Sequence, residues 1–307
     1  MNYIGFDTSN YTTSIAYFDG SSGVNCSKLL PVKAGELGLR QSDAVFHHTK
    51  SLQELSGRLF SDLAPDSIAG VGVSTCPREV EGSYMPCFMV GTTQAILLSQ
   101  ALHLPYLEFS HQQGHIAAAA WSAGRMDLLD TPFLAWHLSG GTTELLLVEP
   151  KENNVQCTKI GGTTDISAGQ LIDRTGQLLN LPFPAGRHLD ALSTQAQGKD
   201  YFRVKCNDME FSLSGMQNKV QEFYRKTSDP SETAAYALRC VGYAVYCATE
   251  NALKHYAGLP VMFSGGVASN SMLREILKPL SPVFAQPQYS TDNAMGVAIL
   301  THRALEE

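Results

Sequence analysis

No two cysteines of this 307-residue chain stand in a C-x-x-C pair. The seven present, Cys26, Cys76, Cys87, Cys157, Cys206, Cys240 and Cys247, are scattered and odd in number. That argues against a zinc–thiolate site or a disulfide framework and for free, mostly buried thiols of a reducing compartment. Basic charge is also short. With 22 Lys and Arg against 29 Asp and Glu, the formal net charge is −7, so no bulk positive field draws in nucleic acid or an anionic membrane. Any nucleic-acid contact needs a local patch or a partner protein. No apolar run approaches the roughly 20 residues of a membrane span. The segment from Met1 to Tyr17 lacks a basic start and is interrupted by Asp7, so no leader is expected. These absences predict a cytoplasmic protein without membrane contact. Also missing are a Walker P-loop and a G-x-G-x-x-G turn after a strand, which sets aside two common nucleotide folds.

What is present is ordinary for a globular protein: 44% apolar and 17% charged residues. The length predicts two domains. Tyr3–Phe6 and Thr13–Phe18 are β-prone runs around the polar cluster Asp7-Thr8-Ser9-Asn10, with Asp19-Gly20 closing the second run. This predicts an opening β-hairpin. Val45, Leu52, Leu55 and Leu59 fall near one face of a helix over 42–63 with Ser42 as N-cap. A strand over 68–74 and a helix over 90–102 follow. The pattern then restarts: a strand over 132–138, the loop Ser139-Gly140-Gly141-Thr142-Thr143, and a strand over 144–148. Helices are expected over 167–179, 214–225, 231–256 and 292–305, and a strand over 260–263. Two similar halves point to internal duplication, with the boundary between residues 105 and 130. We place it as an N-terminal lobe of 1–110 plus a C-terminal helix 293–307, and a second lobe of 111–292.

Three loops offer one chemistry. Asp7-Thr8-Ser9 supplies hydroxyls and backbone N–H groups at a strand turn, suited to phosphate. Ser139-Gly140-Gly141 adds glycines that let backbone approach a ligand closely. Ser264-Gly265-Gly266-Val267-Ala268-Ser269-Asn270 leads from a strand into a helix, whose free N–H groups favour an anion or a polar ring system. His111 and His115, spaced i, i+4, share a helix face and can chelate one ion. Gln112 stands where an H-E-x-x-H protease has its glutamate base, so protease chemistry is set aside. His47 and His48 point about 100° apart on a helix, which we read as solvent-facing rather than as a metal pair.

In order along the chain stand Gly5-Phe6-Asp7-Thr8-Ser9, His111-Gln112-Gln113-Gly114-His115, Leu138 to Leu145, Asp165 to Arg174, Pro184-Ala185-Gly186 with Asp190, Phe211 to Gly215, Ser264 to Asn270 and Ser290-Thr291-Asp292-Asn293-Ala294. These motifs resemble the TsaD (Gcp) family over nearly the whole chain. That family transfers a threonylcarbamoyl group to N6 of adenosine in tRNA, although it once carried a peptidase name. The resemblance implies an α/β, two-lobed actin-like ATPase fold (ASKHA, ribonuclease H-like). It implies Asp292 as third metal ligand beside His111 and His115, a set suited to Fe(II) or Zn(II). It also implies an adenine nucleotide, ATP/ADP or threonylcarbamoyl-AMP, held by Ser139, Gly140, Gly141, Asp165, Gly186, Asp190, Gly265, Gly266 and Asn270. A TsaB-like partner or a self dimer through the N-terminal lobe is implied, with tRNA reached via that partner.

Several positions depart from the family pattern. After the opening Thr-Ser the family has Cys-Asp-Glu-Thr, and here Asn10-Tyr11-Thr12-Thr13 stands without either acid. The family's Ser-Gly-Gly-His ends in Thr142, and its Gly-Glu-Ala-Phe-Asp-Lys reads Gly169-Gln170-Leu171-Ile172-Asp173-Arg174. Metal and adenosine residues are kept while acids near the reacting end are gone. The expected function is therefore threonylcarbamoyl transfer by a divergent paralogue. Two alternatives stand beside it: a related carbamoyl or acyl transferase with another acceptor, and a non-catalytic nucleotide-binding partner.

Overall fold

A computed structural model describes residues 1–9, 11–31, 39–61 and 63–306; Asn10 of the first loop lies outside them. Along the chain run β1 (Asn2–Asp7), β2 (Thr12–Phe18), β3 (Gly23–Leu29), α1 (Gln41–Phe60), β4 (Ile68–Cys76), α2 (Phe88–Leu102), β5 (Tyr106–Ser110) and α3 (His111–Ser122). Next come β6 (Phe133–Leu138), β7 (Thr143–Lys151), β8 (Asn154–Thr163), α4 (Ala168–Leu178), α5 (Gly186–Ser193), β9 (Cys206–Asn207), β10 (Glu210–Phe211) and α6 (Ser214–Thr227). The chain continues with α7 (Pro230–His255), β11 (Val261–Ser264), α8 (Ser271–Leu277), β12 (Val283–Phe284) and α9 (Met295–Glu306). No helix among the described residues is long and apolar enough to cross a membrane.

The chain divides into two compact units. The first holds Met1–Thr131, Glu149–Cys157 and Gln288–Glu307, the second Pro132–Val148 and Thr158–Pro287. This differs from the expected boundary after residue 110. The reason is packing: α3 runs against α9 in the first unit, so residues 111–131 and Asp292 belong there.

The first unit carries a five-stranded sheet in the order β3-β2-β1-β4-β5. β1, β2 and β3 pair antiparallel, while β4 and β5 add in parallel. The second unit repeats that order as β8-β7-β6-β11-β12, with β10 and β9 extending the β8 edge. The expected duplication is thus a real repeat of strand order, and the fold is an actin-like α/β architecture. Buried apolar side chains hold each sheet. Ile4, Phe6, Ile15, Val71 and Val73 meet Leu52, Leu55 and Leu59 of α1 in the first unit. In the second, Trp136, Leu138 and Phe263 pack with α4, α6 and α7.

Two local expectations change. Arg40, not Ser42, precedes α1, and it makes no side-chain cap bond. His48 is fully buried rather than solvent-facing, and its Nδ1 lies 2.8 Å from Thr13 Oγ1. It falls on the stripe Ala44, His48, Ser51, Leu52, Leu55, Leu59 that α1 turns to the sheet. The seven cysteines are free, with Cys26, Cys87 and Cys240 buried and the other four partly exposed.

Candidate functional site

The start of α3 is built with care. Ser110 accepts a hydrogen bond from Gln113 N, and Gln113 Oε1 accepts one from Ser110 N at 2.7 Å. This capping box fixes the first turn. Gln113 Nε2 donates to Val155 O at 2.8 Å and to Glu79 Oε2 at 3.0 Å. Gln112 N donates to Pro77 O. The first turn therefore has little freedom, and it carries His111.

Across from it stands the segment before α9. A Cβ on Gly296 would collide with Gly114 O, and one on Gly114 would lie 3.2 Å from Val297 Cγ2. The glycine at 296 lets the two helices approach this closely, since any side chain there would run into the α3 backbone. Their contact brings Asp292 to the histidines: Asp292 Oδ1 is 3.2 Å from His115 Nε2 and 3.5 Å from His111 Nε2. Among the described residues, His111, His115 and Asp292 are the group whose ligand atoms all lie within 4.8 Å of one another. The first unit therefore brings together the three residues expected to hold an ion.

A fourth residue backs them. Asp7 Oδ2 lies 2.7 Å from His111 Nδ1, and Asp7 Oδ1 accepts from Ser9 N at 2.9 Å. Burial disfavours every charge here, yet the carboxylates of Asp7 and Asp292 prevail and push His111 up to about 10. Asp292, against its own burial, is held well below the usual carboxylate range by His111 and His115. Asp7 is lowered by His111 and Ser9 against the same penalty. Two anionic carboxylates around two imidazoles call for positive charge, which a divalent ion supplies when the rings are neutral. Donor set, spacing and the hydrogen-bonded carboxylate behind one ligand all fit a two-His, one-carboxylate metal site.

The loop Asp7-Thr8-Ser9, expected to face phosphate, turns its side chains inward. Asp7 engages His111. Thr8 Oγ1 donates to Cys87 O at 2.9 Å and accepts from Gly91 N at 3.1 Å. Ser9 Oγ is buried and has no hydrogen-bond partner among the described residues. The backing role of Asp7 is not legible from spacing, since the pair is 104 residues apart.

The second unit gathers the remaining loops. β6 and β11 are parallel neighbours with Ser264 opposite His137, which sets Ser139–Thr142 beside Gly265–Gly266. Gly265 has φ +92°, and a Cβ there would strike Leu138. Gly140, Gly141, Gly186 and Gly266, by contrast, have open space where a Cβ would stand. The N-terminus of α4 closes onto the same hairpin. Ser167 Oγ donates to Gly140 O at 2.5 Å, and Ala168 N donates to Thr143 Oγ1 at 2.8 Å. Ser139 Oγ accepts from Thr142 N. Gln170 Oε1 accepts from Ser167 N in a second capping box, so the amide serves where the family pattern has a glutamate.

Three expected nucleotide ligands are bound up internally. Asp165 Oδ1 accepts from Ile166 N at 2.7 Å and Leu213 N at 2.8 Å, and Oδ2 accepts from Ser212 Oγ and from Ser214 N. Those bonds hold its carboxyl low despite partial burial. The lone pairs expected to be open to a ribose instead pin the turn before α6. Asp190 accepts from Ser271 N and Oγ at the start of α8, and Asn270 caps that helix through Leu273 N. A residue missed from sequence, Asp173, accepts from Ala185 N at 2.8 Å and fixes the approach to Gly186. Both S-x-x-Q capping boxes, in contrast, are readable from spacing alone.

A family model described as TsaD, tRNA N6-adenosine threonylcarbamoyltransferase, matches residues 37–299. A protein of that name from Carboxydothermus hydrogenoformans is 31% identical over 82% of this chain and 75% of its own length. Another from a Sulfurihydrogenibium species is 29% identical over 100% of this chain and 91% of its own. Among solved structures, full-length HypF in its phosphate- and nucleotide-bound form aligns with TM-score 0.63 and 16% identity, over 98% of this chain and 46% of that one. A ROK-family glucokinase from Streptomyces griseus aligns with TM-score 0.55 and 11% identity, over 99% of this chain and 100% of that one. These two likenesses speak for the fold alone. By the extent of the family match and the relatives' identity, the chain belongs to the TsaD family.

Proposed function

We propose that this protein is a metal-dependent transferase that moves a threonylcarbamoyl group from its adenylate to N6 of an adenosine in tRNA. In that step a bond forms between N6 and the carbamoyl carbon, the bond from that carbon to the phosphate oxygen breaks, AMP leaves, and N6 gives up a proton. The observation that carries the reading is the His111–His115–Asp292 group, backed by Asp7, in a chain of this family. When bound there, Fe(II) or Zn(II) would act as a Lewis acid toward an oxygen of the adenylate. Gly140, Gly141, Gly186 and Gly266 would leave room for the nucleotide, ATP/ADP or threonylcarbamoyl-AMP, against the loops that Ser139, Asp165, Asp190, Gly265 and Asn270 shape. A cytoplasmic location belongs to the same reading.

Tyr11, Thr12 and Thr142 favour a second reading, transfer to a different acceptor. They stand where the family pattern has two acids and a histidine, and the first two cannot act as carboxylate bases. A test of the metal-loaded protein with threonylcarbamoyl-adenylate and unmodified tRNA separates the two. Modified nucleoside that vanishes in His111→Ala supports tRNA transfer. No product despite tight metal and nucleotide binding moves the choice to another acceptor or to a non-catalytic role.

A TsaB-like partner or a second copy would dock on the first unit. Supporting this, α1 and α2 flank an apolar groove of about 480 Å³ lined by Phe60, Val90, Leu97 and Leu98, with Phe46 and Met89 exposed on the same helices. Leu97→Glu is expected to abolish the association in size-exclusion chromatography with light scattering. An unchanged mass would remove the groove from consideration.

A further inference from the structure

Residues 197–205 form a strap without regular structure, laid along α7. Gln197 N and Gly198 N donate to Glu232 Oε1, Arg239 Nη1 donates to Asp200 O, and Phe202 N meets Cys240 Sγ at 3.2 Å. Val204 is buried and tethers the end. The strap is thus anchored by its backbone and by one apolar side chain, which leaves its other side chains outward.

Those side chains are of two kinds. Tyr201 stacks on Tyr243 with centroids 4.3 Å apart and planes 23° from parallel, and Phe202 lies beneath Lys219 Nζ at 5.7 Å. Tyr201, Phe202 and Tyr243 remain 40%, 42% and 38% exposed. Large rings at that exposure are poorly used as core. Around them Lys199, Arg203 and Lys205 are exposed and make no ion pair among the described residues. Asp200 is the single acid between Lys199 and Lys205. Nearby, Glu222 is shared between Lys219 and Lys226. A chain of net charge −7 therefore carries a local cationic strip interleaved with open aromatic faces.

We propose that the strap 197–205, with Tyr243 and Lys219, is a docking platform for a single-stranded RNA loop. Unpaired bases stack on aromatic faces whatever their identity, and lysines and arginines follow the phosphates. A lipid surface or an acidic peptide would use the cations but gives no reason for two stacked, half-open tyrosines. This inference rests on the tRNA reading above and extends it by placing substrate contact on the second unit.

The test uses the metal-loaded protein, with and without a TsaB-like protein, and fluorescently labelled unmodified tRNA, read by anisotropy at several salt concentrations. K199A/R203A/K205A is expected to weaken binding at least tenfold. It should also lower the slope of log affinity against log salt by about 2, since each single-strand phosphate that a side chain neutralises adds about 0.7 to that slope. Tyr201→Ala is expected to weaken binding about tenfold with the slope unchanged, while Tyr201→Phe, which keeps the stack, restores it. Metal stoichiometry and melting temperature check that each variant is folded. Wild-type binding matched by all three variants overturns the platform alone. Loss of partner association in place of tRNA affinity overturns it too and makes the strap a protein surface. A wild type that binds no tRNA overturns the proposed function and this inference together.

Discussion

Buried Asp7 and partly buried His111 form a pair, Oδ2 to Nδ1 at 2.7 Å, that decides which imidazole nitrogen faces Asp292. A carboxylate can only accept here, so the neutral ring carries its proton on Nδ1 and leaves the Nε2 lone pair free.

Replacing Asp7 tests that logic sharply. In Asp7→Asn, Oδ1 can still accept from Ser9 N, but the amide NH₂ then donates to His111 Nδ1. The ring proton moves to Nε2, where it blocks a ligand. Metal affinity is expected to fall about 10- to 100-fold, at least as far as in Asp7→Ala, with little loss of fold. Competition titration with a chromophoric zinc chelator measures it. Equal affinity for wild type and Asp7→Asn would remove Asp7 from the site.

Metal should also stabilise the first unit. An ion that binds only the folded state at 100 times its dissociation constant adds about 2.7 kcal/mol. Zn(II) or Fe(II) should therefore raise the melting temperature of the wild type and leave Asp292→Ala unmoved, since two imidazoles alone hold the ion poorly. Calorimetric melts with and without EDTA show this. A shift that survives Asp292→Ala would place the ion elsewhere.

Sequence carried the frame further than it carried the site. Alternation and apolar runs located β1, β2, β4, β6 and β11, because each is a short buried strand bounded by turn residues. β9, β10 and β12 are two residues long, too brief to leave a period. His111 and His115 were legible because i, i+4 spacing is a local rule. Asp292 needed family resemblance, being brought in by the Gly114–Gly296 contact, a tertiary event without local trace. Asp165, too, came from the family resemblance, and only the fold shows its lone pairs shared with Ile166, Ser212, Leu213 and Ser214.

Glycines of the second unit divide into two kinds with opposite expected outcomes. At Gly169 an added Cβ would lie 2.5 Å from Ser139 O, so Gly169→Ala should cost about 1–3 kcal/mol of stability by overpacking. Gly266 has nothing within 4 Å of the same point. Gly266→Ala should melt like the wild type yet bind adenine nucleotide about tenfold more weakly if the ligand lies over that loop. Paired urea melts and nucleotide titrations read both effects. Normal nucleotide affinity in Gly266→Ala would move the ligand off this loop.

Asp165 gives a pH signature. Although partial burial raises its carboxyl, the hydroxyls of Ser212 and Ser214 and the N–H groups of Leu213 and Ser214 outweigh that and hold it low. A carboxyl depressed in the folded state binds its proton later than in the unfolded chain. Its contribution is therefore complete above the unfolded value, about 3.9, and is lost as pH falls through the folded one. Asp165→Asn keeps the shape but loses charge-assisted acceptance from the donors around it. Because the residue is still largely exposed, the cost at pH 7 is of order 1 kcal/mol. The gap between wild type and variant in urea melts should be constant from pH 7 to 5 and narrow below pH 4. A gap that widens on acidification would mean that the turn is held by something other than this carboxylate.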